Sequence, residues 1–85
     1  MSTQHLRNIP LKLFRDFLKE KGCVCNRTSG GHEHWSKNEL KRPITLQTHV
    51  DPVPEFIIKN ILNKFFLKKK YFLDWIYKIE YKKNL

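Results

Sequence analysis

The sequence predicts an α+β fold: one helix, a three-stranded antiparallel meander, and two further helices laid on one face of that sheet. Three observations predict it. A stripe of apolar residues at three-to-four spacing ends at Gly22, three short segments with period-two alternation follow, and a proline-led apolar run fills most of the remainder.

The first helix is expected over residues 9–22. Pro10 suits its first turn, Leu11, Phe14, Phe17 and Leu18 recur along one side, and Gly22 supplies a left-handed stop. Lys12, Arg15, Asp16, Lys19 and Glu20 fill the wet side. "CVCNRT" (23–28) reads as a first strand and runs into Ser29-Gly30-Gly31, a turn signal. "HEHWSK" (32–37) alternates, with His32 and His34 on one face and Glu33 and Trp35 on the other. The polar link "NELKRP" carries Lys41 and Arg42 into a third strand, "ITLQTH" (44–49). There Ile44, Leu46 and Thr48 face one way and Thr45, Gln47 and His49 the other.

"VDPVP" (50–54) is a rigid break, and Pro54 begins a second helix. Phe56, Ile57, Ile58, Ile61, Leu62, Phe65 and Phe66 form a wide stripe suited to covering the sheet. Lys68-Lys69-Lys70 is expected to interrupt it before a third helix over 71–82, with Phe72, Trp75, Ile76 and Ile79 inward. The periodicity also admits one bent helix from 54 to 82. No internal repeat is present, and 85 residues suit a single domain. Trp35 and Leu46 are expected inside. His32, His34 and His49 are expected on the uncovered face or at a strand edge.

Composition narrows the partners. A hydrophobic content of 40%, with six Phe, three Tyr and two Trp, supports a modest core and argues against disorder. Seventeen Lys and Arg against eight Asp and Glu give +9, a field that attracts polyanions and favours nucleic acid as a partner. Residues 64–85 carry seven of those lysines against Asp74 and Glu80. No apolar run approaches the ~20 residues of a membrane span, and Met1–His5 lacks the layout of a signal peptide, so a cytoplasmic location is expected. Cys23 and Cys25 are the only cysteines, two positions apart, which is poor geometry for a mutual disulfide.

Cleaving a phosphodiester without metal needs one group to take the 2′-hydroxyl proton, another to protonate the leaving oxygen, and cations to steady the phosphorane charge. Imidazole suits both proton roles. His32, His34 and His49, with Arg27, Lys37, Lys41 and Arg42, offer such a set on one sheet. Gly30 and Gly31 expose backbone N–H groups and let a phosphate approach, although a Gly-Gly pair equally suits a plain hairpin turn. Solvated strand histidines without a chemical role are the bland reading. A zinc site from Cys23, Cys25, His32 and His34 competes, although structural zinc usually takes wider spacings. Phe72, Trp75 and Tyr81 could also anchor a basic helix at a membrane surface.

The stretch "RTSGGHEHW" (27–35) resembles the R-x-x-G-S-H core of HicA-type (YcfA-like) toxins, the small mRNA interferases of bacterial type II toxin–antitoxin systems. The flanking order agrees: a helix ending in Gly22, the motif, a Pro-Ile-Thr-Leu strand closing in "QTH", then "PEFIIKNIL". About residues 8 to 63 carry the likeness; 8–66 would be the family core and 67–85 a lysine-rich helical extension. The resemblance implies a double-stranded-RNA-binding-domain-like fold, α-β-β-β-α with an extra C-terminal helix. It implies an endoribonuclease that uses no cofactor, acts on mRNA in the cytoplasm, and is neutralised by a HicB-type antitoxin. The free toxin would be a monomer, oligomeric with its antitoxin. The family's catalytic histidine maps onto His32; His49 falls where the family often has a histidine, and His34 stands one position late for its second, which leaves both as candidate helpers. Arg27, Gly30, Gly31, Lys37, Lys41 and Arg42 would meet RNA. Gly31 stands where the family usually has serine, and Glu33 where it often has a second histidine. A non-catalytic module that reads RNA by shape is the other function this fold would allow.

Overall fold

The computed structural model describes residues 6–83, with side chains described for 6–79. Met1–His5, the stretch compared with a leader, lie outside the described residues, and the side chain of Tyr81, the expected anchor, lies outside the described side chains. The elements are α1 (Leu11–Glu20), β1 (Val24–Ser29), β2 (His32–Ser36), β3 (Ile44–Gln47), α2 (Glu55–Lys64) and α3 (Lys69–Lys83). The strands form one antiparallel sheet in the order β1-β2-β3. It is a small α+β domain with an antiparallel meander.

The apolar stripe of α1 buries Leu11, Phe14, Phe17 and Leu18. Pro10 stands just before the helix, and Asp51 Oδ1 accepts the Leu11 N–H at 3.0 Å, satisfying one of the first-turn donors from forty residues away. A bridge between Ile9 and Val53 ties the same loop to the start of the chain. At the far end, Gly22 N–H donates to Lys19 C=O at 3.0 Å and Cys23 N–H to Leu18 C=O at 2.9 Å, with Gly22 at φ +89°. This is the Schellman stop that a left-handed glycine makes without strain.

The inner face of the sheet carries Trp35, Ile44 and Leu46, which are almost fully buried against the helices. Glu33 shares that face and has a purpose the sequence reading missed. Its Oε1 accepts from Trp35 Nε1–H and from Arg15 Nε–H, both at 3.1 Å, while Arg15 also meets Oε2 at 2.9 Å. A fork-shaped ion pair thus bolts α1 to β2, and a charge in phase with a buried tryptophan is the signal that marks it.

The second apolar stripe departs from expectation at both ends. Ile58, Ile61 and Leu62 are buried, but Phe56 is 64% exposed and Phe66 95% exposed. The helix stops before the lysine triplet, not within it: Phe66 adopts φ +58°, Phe66 N–H donates to Asn63 C=O, and Leu67 N–H donates to Leu62 C=O, each at 3.0 Å. A single bent helix is therefore excluded, and Lys69 and Lys70 already belong to α3. A left-handed conformation costs an L-residue roughly 1–2 kcal/mol, so phenylalanine is an expensive choice for this stop.

α3 is part of the same core. Phe72 is fully buried, edge-on to Phe14 at 5.7 Å and to Phe17 at 4.7 Å between ring centroids, and Trp75 meets Phe17 at 5.1 Å. Residues 67–79 thus cover α1 and are not a detachable tail. The membrane-anchor reading fails for the same reason, since Phe72 has no surface left to insert. Among the described residues no helix is long and apolar enough to cross a membrane.

Candidate functional site on the open sheet face

Two glycines make the hairpin. Gly30 and Gly31 take φ +56° and +80°, the paired positive values that a two-residue turn with the strands' own twist requires. The turn sets Ser29 opposite His32, Thr28 opposite Glu33 and Arg27 opposite His34. The register then slips between Arg27 and Cys25, so Cys25 pairs with Trp35 and Asn26 is the extra residue of a bulge. Asn26 Nδ2 donates to Ser36 Oγ at 2.6 Å. The bulge lets Arg27 stand on the outer face while Cys25 joins the core.

β3 continues these rows. His32 pairs with Gln47 and His34 with Thr45. The uncovered face therefore carries two cross-strand rows, Ser29–His32–Gln47 and Arg27–His34–Thr45. Two residues apart on a strand, the histidines are spaced by roughly 6–7 Å, enough to flank one phosphodiester.

His32 has a defined ring orientation. Its Nδ1 lies 3.2 Å from the Gly30 carbonyl oxygen. A carbonyl only accepts, so Nδ1 carries a proton, and in the neutral ring the lone pair is on Nε2. Beside His32 opens a cleft of about 220 Å³, walled by Thr45, Gln47, Val50, Pro54 and the exposed Phe56.

His49 lies two residues past β3, not at its end, yet it reaches the hairpin. Thr48 N–H and Oγ1–H both donate to Gly31 C=O, at 2.8 and 3.0 Å, and this pulls the following residue over the turn. A Cβ added at Gly31 would meet His49 Nδ1 at 3.2 Å. Glycine suits this position where the resemblance expects serine: φ +80° strains any side chain, and a Cβ would press on the His49 ring, which would have to give. Gly31→Ser is expected to lower stability by about 1–2 kcal/mol and to displace His49. Thermal melts and the His49 imidazole resonances check this; an unmoved resonance would refute the packing.

The cations divide. Arg27 belongs to the imidazole face. Lys37 does not: it falls in phase with Glu33 and Trp35, lies against Gly22 and near the Phe65 ring, and pairs with Glu39 at 3.7 Å. Alternation along β2 already placed it there. Lys41 and Arg42 sit in the β2–β3 loop, at the end of the sheet opposite the Gly30-Gly31 turn. One strand length, roughly 13 Å at strand rise, separates that end of β2 from His32.

The arrangement also corrects the zinc reading. Cys25 packs against the core opposite Trp35, while His32 and His34 look out from the other face. Cys23 is buried, and that burial pushes its thiol up, opposed by the charge of Lys37. No group of three or more candidate metal ligands converges among the described residues.

Comparisons with protein-family models, with curated proteins and with solved structures find no match to this chain. Its function must be argued from the face itself.

Proposed function

We propose that this chain is an endoribonuclease of the HicA toxin type, built on a double-stranded-RNA-binding-domain-like fold, with residues 8–66 as the family core. The observation that carries the reading is His32. It sits at the hairpin mouth on the uncovered face, its Nδ1 proton bound to Gly30 C=O and its Nε2 free to act as a base. The helix-strand-strand-strand-helix order and the +9 charge support it.

In this reading Nε2 of His32 takes the proton from a ribose 2′-hydroxyl. The 2′-oxygen attacks the adjacent phosphorus, and the bond to the 5′-oxygen breaks. A second imidazole, His34 or His49, protonates that leaving oxygen. Arg27, opposite His34, neutralises the charge that builds on the phosphate. The products are a 2′,3′-cyclic phosphate and a 5′-hydroxyl. A HicB-type antitoxin would silence the monomeric toxin by covering this face in a larger assembly.

Incubating the purified chain with unstructured RNA in the presence of a chelator tests the reading. Cleavage with cyclic-phosphate ends is expected, and an RNA carrying 2′-deoxy sugars should survive. RNA that is bound but left intact would instead favour a module that only reads RNA.

A further inference from the structure

The chain makes the same helix stop twice. After α1 the left-handed position is Gly22, and after α2 it is Phe66, each closed by the same pair of backbone hydrogen bonds. Glycine suits that position, and phenylalanine is doubly unsuited to it. Its Cβ strains the left-handed backbone, and its ring is 95% exposed to water. Among the described residues nothing buries the ring.

What surrounds the ring is basic. Lys41 and Arg42 from the β2–β3 loop and Lys64 from α2 line one surface groove with Phe66. Glu39 also borders it, an exposed carboxylate whose nearest cation is Lys37 at 3.7 Å, so the groove keeps a net positive charge. Among the described residues no carboxylate pairs with Lys41, Arg42 or Lys64. An aromatic face framed by unneutralised cations is the chemistry that binds single-stranded nucleic acid: every base has a face to stack, and every linkage carries a negative charge. Leu40 adds a little apolar surface beside the ring, but a protein partner would need a broader apolar patch than one ring and one leucine among three cations.

We propose that this groove is a single-stranded RNA subsite, in which Phe66 stacks a base and Lys41, Arg42 and Lys64 hold the neighbouring phosphates. Its place in catalysis rests on the endoribonuclease reading; its binding does not. Lying at the opposite end of the sheet from the Gly30-Gly31 turn, it takes nucleotides several positions away from the one at His32. A duplex hides its base faces, so the ring selects unpaired RNA.

Fluorescence anisotropy with a labelled single-stranded RNA and with the same sequence as a duplex tests it, in a His32→Ala background that prevents cleavage. Phe66→Gly is expected to raise the melting temperature, because it relieves the strained stop, and yet to weaken single-strand binding by roughly tenfold or more. Duplex binding should not change, and Phe66→Trp should keep single-strand affinity. Unchanged single-strand affinity in Phe66→Gly overturns the proposal, as does an equal loss for both RNAs. So does self-association of the chain that disappears with Phe66, since the ring would then serve a second copy. Parallel cleavage assays with native His32 separate the two ideas: ring-dependent binding without any cleavage removes the nuclease and leaves the subsite standing.

Discussion

Replacing His32 with alanine is expected to abolish RNA cleavage and growth inhibition while leaving the fold in place. General acid–base catalysis contributes about 10²–10⁴-fold, so activity should fall by at least that factor. The structural cost is small by comparison. His32 is half-buried on the uncovered face, and the bond lost is the one from Nδ1 to Gly30 C=O, a net effect of about 0.5–1.5 kcal/mol. Circular dichroism and a thermal melt establish that the variant is folded. Cleavage at the native rate by a folded His32→Ala chain would end the nuclease proposal. The same substitution at His34 has a graded expectation: a large loss marks it as the acid that protonates the leaving oxygen, and a slight one passes that role to His49.

The second large effect concerns stability. Phe72→Ala is expected to cost about 3–5 kcal/mol, the range for deleting a buried aromatic side chain. For a domain of this size each kcal/mol lowers the melting temperature by about 4–8 °C, so a fall of about 12 °C or more should appear. The reason is placement. Phe72 closes an aromatic cluster with Phe14 and Phe17, two of the α1 residues that underlie the sheet. Cutting the chain after Leu67 removes that cover altogether and should leave a poorly folded product. A melting temperature within a few degrees of the native value in Phe72→Ala would show that α3 only leans on a self-sufficient core.

Much of this architecture was legible because alternation and helical periodicity are local. The phase of "HEHWSK" put both imidazoles on the face opposite Trp35, and the α1 stripe selected the residues that are in fact buried. The misreadings arise where one residue resets the phase or a distant partner decides. The bulge at Asn26 sets Arg27 beside His34 and sends Cys25 inward, and no pattern within β1 announces it. The charge of Lys37 suggests the site, but its phase with Glu33 and Trp35 places it underneath. Phe66 was counted in the core because it is apolar and near the stripe; its left-handed backbone turns it out. The packing of His49 on Gly31 depends on a loop folding back eighteen residues later in the chain, which no local signal reaches.

The Glu33–Arg15 clamp has a consequence for how this strand can change. Along β2, the residues that bolt the sheet to α1 and those that face outward strictly alternate, with Glu33 and Trp35 holding the fold and His32 and His34 free of it. Substitutions at neighbouring positions therefore fall on different tasks, the odd ones on the clamp and the even ones on the open face. Changes at the even positions alter the chemistry of the face, while the odd positions keep a chain that still folds.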